Sequence, residues 1–164
     1  MATPHVEQVI ALANEYNLIP IARTLLADME TPIRIFRRIA QREQAFLLES
    51  VEGGSQWARY SFIGTDPFLM ISAKKGEITI KRDGGVEQLS SSRPVDELKA
   101  ILRGYRSPKL PEMPPFTGGA IGFFGYDLLQ YYEKLPAHRN DDLQMDDIKF
   151  MFCDQVIAFD HVKH

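Results

Sequence analysis

The stretch FLMISAKKGEITIKRDGGVEQL, residues 68–89, decides the fold class. Three short runs rich in apolar and β-branched residues lie within it: Phe68–Ala73, Ile78–Arg82 and Val86–Leu89. They are separated by Lys75-Gly76 and by Asp83-Gly84-Gly85, and glycine supplies the positive φ angles that tight turns require. We therefore predict three consecutive strands, of which the last two are joined by a tight hairpin at Asp83-Gly84-Gly85, and strands joined in this way are antiparallel.

Similar runs on both sides extend the predicted sheet. We expect strands at Ala45–Glu49 and Tyr60–Ile63, an extended segment at Leu18–Leu26, and one or two strands within Lys149–Asp160. The segment Gly118–Gly125 also reads as a strand, but it carries four glycines. Glycine inside a strand usually marks a bulge or the close approach of another backbone, and we expect one of these here.

Three helices are predicted around this sheet. The dipeptides Thr3-Pro4 and Thr31-Pro32 each combine an N-cap residue with a proline at the first helical position. The third helix covers Pro94–Tyr105, where apolar residues recur at helical spacing. The sequence therefore predicts an α+β fold, in which several helices pack on a largely antiparallel sheet.

The composition excludes several classes of protein. The chain has 164 residues, with 19 Lys and Arg against 22 Asp and Glu, and its formal net charge is −3. A nucleic-acid-binding protein would carry a clustered surplus of basic residues, so we expect no nucleic-acid partner. No apolar run reaches the ~20 residues that cross a bilayer, and the N-terminus lacks the features of a signal peptide. Because Cys153 is the single cysteine, we expect a soluble protein of the reducing cytoplasm without an internal disulfide.

Residue types that serve nucleophilic or metal chemistry are present, but in unfavourable positions. Cys153 ends the apolar run Phe150–Cys153, where a buried, inert thiol is expected. Asp160, His161 and His164 form a loose cluster at the end of the sequence, where an exposed tail is expected rather than a metal site. We therefore predict no catalytic residue and no metal ligand in this chain.

One segment has the groups that would bind a free amino acid. Glu49 and Ser50 stand at the end of a predicted strand, before a Gly53-Gly54 turn, and Arg59 opens the returning strand. A carboxylate and a hydroxyl suit an α-ammonium group, and a guanidinium suits an α-carboxylate. The alternative is that Glu49 and Arg59 form only a cross-strand ion pair on a solvated face, worth about 0.2–1 kcal/mol. The residues alone favour this alternative.

A series of motifs that spans nearly the whole chain includes these residues. In order, its members are Asn17–Pro20, Asp28–Pro32, Phe46–Glu52, Arg59–Gly64, Phe116–Asp127, Glu133–Pro136 and Phe159–His161. In this order the series resembles the N-terminal domain of the large subunit of anthranilate synthase, component I, one of the chorismate-utilising enzymes. Each motif is weak alone, but the ordered series is highly specific.

The resemblance implies that residues 1–164 are a regulatory N-terminal domain with the N-terminal part of the chorismate-utilising fold. Enzymes of this family convert chorismate and ammonia to anthranilate and pyruvate, which opens tryptophan biosynthesis, and tryptophan inhibits them. The resemblance further implies Mg²⁺ bound by a C-terminal catalytic domain absent from this chain, and a glutamine amidotransferase subunit, component II, that supplies the ammonia. No cofactor and no activity are expected of these residues alone.

The resemblance also implies part of the tryptophan site. The Leu-Glu-Ser motif of the family's inhibitor pocket matches Leu48, Glu49 and Ser50, Arg59 is the nearest counterpart of a basic residue on the following strand, and Pro20 lines the pocket. Glu49 and Ser50 would hold the polar head of tryptophan, and the absent domain would hold part of the indole. On this basis the arrangement of Glu49 and Arg59 serves binding rather than only an ion pair.

Two alternatives remain open at this point. The related large subunit of aminodeoxychorismate synthase adds ammonia to the same substrate without eliminating pyruvate, and a stand-alone amino-acid-sensing module is a candidate of a different class. In a fragment of such an enzyme, apolar side chains that normally pack on the missing domain would be exposed. Those expected to be exposed are Ile121, Phe123, Phe124, Val156, Ile157 and Phe159.

Overall fold

The computed structural model describes residues 2–40, 44–49, 59–136 and 141–163, and the chain divides into two compact units. Unit 1 is drawn from residues 1–67, 104–119 and 153–164, and unit 2 from residues 68–103 and 120–152. Ser50, the Gly53-Gly54 turn and His164, which the sequence analysis singled out, lie outside the described residues.

The described residues form antiparallel sheets and a few helices, which confirms the predicted α+β class. The strands are β1 (Ala2–Thr3), β2 (Ala22–Arg23), β3 (Ala45–Leu48), β4 (Tyr60–Thr65), β5 (Leu69–Lys74), β6 (Glu77–Arg82), β7 (Gly85–Ser90), β8 (Ala120–Phe124), β9 (Ile148–Phe152) and β10 (Val156–Asp160). The α-helices are α1 (Val6–Leu12), α2 (Pro32–Ile39) and α3 (Pro94–Arg103), and Tyr126–Tyr131 is a 3₁₀ helix.

Unit 2 is built on a five-stranded antiparallel sheet of order β7-β6-β5-β9-β8. The hairpin predicted at Asp83-Gly84-Gly85 is confirmed by the pairing of β6 with β7, and β5 and β6 form a second hairpin with Ile71 opposite Ile80. Alternate residues of β5 are buried, and they join Leu98 of α3 in one core cluster. Burial of one face of the sheet under a helix is what fixes the register of these strands.

The glycine-rich strand β8 lies against the backbone of β9. Gly122 is opposite Phe150 in the register, and a Cβ added to Gly122 would overlap the carbonyl oxygen of Lys149 and come within 2.7 Å of the Phe150 Cα. Since backbone atoms cannot rotate away as a side chain can, only glycine fits this position. The predicted close approach of another backbone is confirmed.

A buried aspartate fixes the turn between β5 and β6. Lys75 and Gly76 have φ angles of 51° and 84°, and the Asp147 carboxylate Oδ2 accepts hydrogen bonds from the Lys75 amide (2.8 Å) and the Tyr131 hydroxyl (2.6 Å). The Tyr131 hydroxyl in turn accepts a bond from the Gly76 amide (2.6 Å). Burial, with the bond to Asp147, raises the pKa of Tyr131 to about 12. The turn, the 3₁₀ helix and the start of β9 are thus tied to one another.

Unit 1 contains a three-stranded antiparallel sheet of order β10-β4-β3, on which α2 packs. Its central strand, β4, is the most buried, and Ile63 is fully enclosed. Gly64 faces Phe46 on β3, whose ring occupies the space that a Cβ at Gly64 would need. The predicted start of α2 is confirmed, because the Thr31 hydroxyl accepts a bond from the Arg34 amide (3.3 Å) and Pro32 is the first helical residue.

Three predicted boundaries were wrong. The first helix is capped by His5 rather than Thr3, because Thr3 is drawn into β1, opposite Ala22. The extended segment Leu18–Leu26 yields only the two-residue strand β2, since β1 ends at Thr3 and the next residue, Pro4, has no amide hydrogen to continue the ladder.

The predicted end of the third helix was also wrong. Helix α3 ends at Arg103 and not at Tyr105, because the next residues bind Asn17 instead of extending the helix. The Asn17 side-chain amide donates to the Gly104 carbonyl (2.7 Å), and its oxygen accepts a bond from the Arg106 amide (2.7 Å).

The segment Lys149–Asp160 forms two strands, and they belong to different sheets. β9 lies in unit 2 and β10 in unit 1, with the buried Cys153 between them. The prediction that Phe159 is exposed was wrong, because this side chain is only 6% exposed. Three of the residues predicted to be exposed do face solvent, namely Phe123, Phe124 and Ile157, whereas Ile121 and Val156 are half-buried.

Candidate functional site

The sheet of unit 1 brings three chain segments together at one end. Leu48, the last residue of β3, is opposite Phe62, and Asp160, the last residue of β10, is opposite Tyr60, the first residue of β4. Glu49 follows Leu48 directly and Arg59 precedes Tyr60 directly. We call Leu48, Glu49, Arg59 and Asp160 the strand-end cluster.

The charged core of the strand-end cluster is a two-point ion pair. Arg59 Nε and Nη2 donate to Asp160 Oδ1 and Oδ2 at 3.0 and 2.6 Å. Asp160 Oδ1 also accepts hydrogen bonds from the amides of Val162 (3.0 Å) and Lys163 (3.2 Å). The bonds from Arg59, with those from the two amides, hold the pKa of the Asp160 carboxyl well below its usual range. Asp160 is therefore an anion at neutral pH that fixes both Arg59 and the turn after β10.

A second polar contact lies beside this pair. Ser61 Oγ and His161 Nε2 share a hydrogen bond of 2.7 Å, and the His161 amide donates to the Arg59 carbonyl (2.9 Å). The His161 ring also meets the edge of Phe159, with 5.1 Å between the ring centroids. The prediction of an exposed tail was wrong for Asp160, which is half-buried in β10. His161 is exposed as predicted, but its bonds to Ser61 and to the Arg59 carbonyl hold it to β4.

Aromatic side chains border the strand-end cluster. The Arg59 guanidinium lies 5.1 Å from the centroid of Tyr60, and Tyr60 stacks on Phe62. Phe116 meets the Phe62 ring edge-on. Because residues directly opposite in an antiparallel pair share a face, Leu48 lies on the same side of the sheet as Phe62 and Tyr60. The cluster thus combines charged groups with an apolar and aromatic wall.

Three of the five predicted tryptophan ligands, namely Leu48, Glu49 and Arg59, lie at the same end of the unit 1 sheet. Leu48 and Glu49 are exposed and lie at the same end of the sheet as Arg59. The register does not connect Pro20 with them, since Pro20 precedes β2, which pairs with β1 in a separate sheet. The alternative of a cross-strand ion pair between Glu49 and Arg59 is not favoured either, because the carboxylate that pairs with Arg59 among the described residues is Asp160.

Sequence reasoning missed Asp160, His161, Ser61 and Tyr60 as neighbours of this site. Arg59 and Asp160 are 101 residues apart, so local patterns carry no information about their pairing. The signal that could have found them is the motif series itself, whose last member is Phe159–His161. A motif that holds Arg59 and a motif that holds Asp160 were both recognised, but not their contact.

Two other chemistries were considered for the described residues. Cys153 is buried, and burial raises the pKa of its thiol, so it lacks the thiolate character of a reactive cysteine. Within residues 2–40, 44–49, 59–136 and 141–163, no group of three or more His, Cys, Asp and Glu side chains could hold a metal ion. In the same part of the chain, no helix has the length and apolar character needed to span a membrane.

The chain is similar to proteins of known function. Anthranilate synthase component 1 from Acetivibrio thermocellus is 43% identical over 163 residues, which cover 99% of this chain and 33% of that protein. The protein of the same name from Geobacillus stearothermophilus is 43% identical over 155 residues, or 94% of this chain and 30% of the relative. The chain thus spans about a third of the length of the curated relatives that it matches. No family model matches the chain.

A solved structure agrees with these relatives. The crystal structure of anthranilate synthase component I from Streptococcus pneumoniae TIGR4 matches 87% of this chain and 29% of its own, with 28% sequence identity and a TM-score of 0.52. Sequence and fold lead to the same family, and the resemblance carried by the ordered motifs is confirmed. We conclude that this chain belongs to the anthranilate synthase component I family.

Proposed function

We propose that the chain is the N-terminal part of an enzyme that converts chorismate and ammonia to anthranilate and pyruvate. The observation that carries this proposal is the 43% identity to anthranilate synthase component 1 over 163 residues. The names of the matched relatives favour anthranilate synthase over aminodeoxychorismate synthase and over a stand-alone sensing module. The proposed location is the cytoplasm, and the proposed partner is a glutamine amidotransferase subunit, component II, that supplies ammonia.

The chemical step is assigned to the C-terminal catalytic domain of the proposed enzyme. Mg²⁺, the cofactor of the family, would help to bind and polarise chorismate there, and the described residues of this chain do not offer a ligand set that fits it. The test uses residues 1–164 purified alone, incubated with chorismate, ammonia and Mg²⁺. We expect no anthranilate fluorescence. Anthranilate formation by these residues would refute the assignment of the chemistry to the other domain.

The regulatory part of the proposal places a tryptophan site at the strand-end cluster. Glu49 is exposed at the end of β3. Together with Ser50, the next residue in the chain, it would accept hydrogen bonds from the α-ammonium group. The guanidinium of Arg59 would bind the α-carboxylate, and Leu48, which is 43% exposed, offers apolar surface for the indole. Pro20 is proposed as a further wall of the pocket. Because the catalytic domain would hold part of the indole, binding of the end product at this cluster would act on that domain and inhibit the enzyme.

The inhibitor site is tested by calorimetry with tryptophan on the complete proposed enzyme. Ser50→Ala removes a hydroxyl, and we expect about a five-fold to ten-fold loss of affinity, corresponding to about 1–1.4 kcal/mol. Ser107→Ala is the matched control, since Ser107 is an exposed serine of the same unit. If Ser50→Ala binds tryptophan and is inhibited by it as well as the control, Ser50 is not a ligand.

A further inference from the structure

The ion pair between Arg59 and Asp160 uses only one edge of the guanidinium. Asp160 accepts from Nε and from one hydrogen of Nη2, at 3.0 and 2.6 Å. A guanidinium has five N–H donors, so both hydrogens of Nη1 and the second hydrogen of Nη2 remain. Among the described residues, no acceptor other than Asp160 is hydrogen-bonded to this side chain. Nη1 and Nη2 therefore form a second edge, which can bind another carboxylate through two parallel bonds.

Two contacts fix the orientation of this second edge. Asp160 binds the guanidinium from the side, and the Tyr60 ring lies against one of its faces, with 5.1 Å between Arg59 Cζ and the ring centroid. Asp160 is itself held, because it is opposite Tyr60 in the register and its Oδ1 accepts bonds from the amides of Val162 and Lys163. The fold thus orients the guanidinium before any ligand binds.

The guanidinium also lies on the side of the sheet that carries the apolar wall. Tyr60 and Phe62 are alternate residues of β4, and Leu48 is opposite Phe62, so these three side chains share one side. Arg59 is on the same side, because its guanidinium lies against Tyr60. An amino acid whose carboxylate binds Arg59 can therefore place an aromatic side chain against Leu48, which is exposed.

We infer that Asp160 is a positioning residue of the amino-acid site, which holds Arg59 so that the edge formed by Nη1 and Nη2 receives the α-carboxylate of tryptophan. This inference rests on the proposed function, which assigns that carboxylate to Arg59. Asp160 stays bound in the complex, and the guanidinium bridges the two carboxylates. Asp160 itself does not touch the ligand.

Two effects of the Asp160 carboxylate on ligand binding oppose each other. Its charge repels a second carboxylate, but Arg59 and the two turn amides already surround that charge at 2.6 to 3.2 Å. Water screens the remaining repulsion, since 31% of the Arg59 side chain is exposed. Without Asp160 the arginine would gain rotamer freedom, and the ligand would have to remove it on binding. We therefore expect orientation to outweigh repulsion.

The first test compares two ligands by calorimetry on the complete proposed enzyme. Tryptamine has the indole and the ammonium group of L-tryptophan but no carboxylate. Asp160→Asn removes the charge and one of the two acceptors for Arg59. We expect the variant to bind L-tryptophan about three-fold to ten-fold more weakly, and tryptamine less than about two-fold more weakly. Unchanged or tighter binding of L-tryptophan, or an equal loss for both ligands, overturns the positioning role.

Ser61→Ala is the matched control for this comparison. Its hydroxyl is bonded to His161, the residue after Asp160, and not to Arg59. The control therefore disturbs the same end of β4 without freeing the guanidinium, and we expect it to leave the affinity for both ligands unchanged. A loss for L-tryptophan alone, as large as that of Asp160→Asn, would show that the effect does not come from the orientation of Arg59.

A double-mutant cycle decides the question with L-tryptophan alone. Arg59→Gln should weaken binding, and in that background Asp160→Asn should add less than about two-fold, because no guanidinium is left to orient. A further loss of full size would show that Asp160 acts through the fold, which overturns the inference. A wild-type enzyme that does not bind L-tryptophan refutes the proposed inhibitor site and the positioning role with it. Binding that Arg59→Gln weakens and Asp160→Asn does not refutes only the positioning role.

Discussion

The variant Tyr131→Phe removes one hydroxyl and with it two hydrogen bonds of unit 2. One is donated to the Asp147 carboxylate and the other is accepted from the Gly76 amide, both at 2.6 Å. A bond to a charged group is worth about 1.5–3 kcal/mol and a neutral one about 0.5–1.5 kcal/mol. Because Tyr131 is only half-buried, water can form some of the hydrogen bonds that its hydroxyl made. Asp147 also keeps its hydrogen bond from the Lys75 amide. We therefore expect the free energy of unfolding to fall by about 2–3 kcal/mol.

The assay is urea unfolding followed by circular dichroism, with thermal unfolding as a second measure. For a chain of this size each kcal/mol corresponds to about 2–4 °C, so the midpoint should fall by roughly 4–12 °C. Tyr132→Phe is the matched control, because it makes the same chemical change in the next residue, whose side chain is 51% exposed. If both variants lose less than about 0.5 kcal/mol, the size expected of an ordinary surface substitution, the bonds of Tyr131 do not stabilise the turn.

Three further predictions concern other parts of the fold. Gly122→Ala should lower the free energy of unfolding by about 3 kcal/mol or more in urea titrations, while Gly84→Ala, which has open space around its Cβ, should change it by less than about 0.5 kcal/mol. Stability should fall as the pH rises from about 10 to about 12, because folding raises the pKa of Tyr131, and Tyr131→Phe should lessen that loss in urea midpoints. Folding lowers the pKa of Asp160, so its contribution is present above about pH 4 and is lost as the pH falls below it, and Asp160→Asn should flatten the acid limb of the same titration.

The parts of the fold that depend on local signals could be predicted from the sequence. The hairpins of residues 68–89 are set by glycine turns and by side-chain alternation, both of which can be seen within a few residues. The start of α2 is equally local, since Thr31 and Pro32 determine it together. The segment Leu18–Leu26 was predicted incorrectly because a strand needs a partner, and β1 offers it only two residues.

The candidate site depends on contacts between distant parts of the chain. The segment Lys149–Asp160 holds two apolar runs separated by Asp154 and Gln155, and nothing in this pattern indicates that β9 and β10 join different sheets. The pairing of β10 with β4 is what brings Asp160 to Arg59, so the error on the Arg59 partner and the error on the exposed tail have one cause. Glu49 and Arg59 were singled out by the chemistry of their side chains, and the family motifs added Leu48 and favoured a binding role over an ion pair.

The order in which the strands of unit 1 are synthesised has a consequence for the growing chain. β4 pairs with β3, which precedes it in the chain, and with β10, which follows every residue of unit 2. A growing chain can therefore contain the whole sequence of unit 2 while one edge of β4 still lacks its neighbouring strand. Translation that stops before Val156 releases a chain whose most buried strand presents unpaired amides and carbonyls, which is the kind of edge that pairs with other chains and aggregates. A chain that stops just short of β10 would thus retain every residue of unit 2 but leave an open strand edge in unit 1.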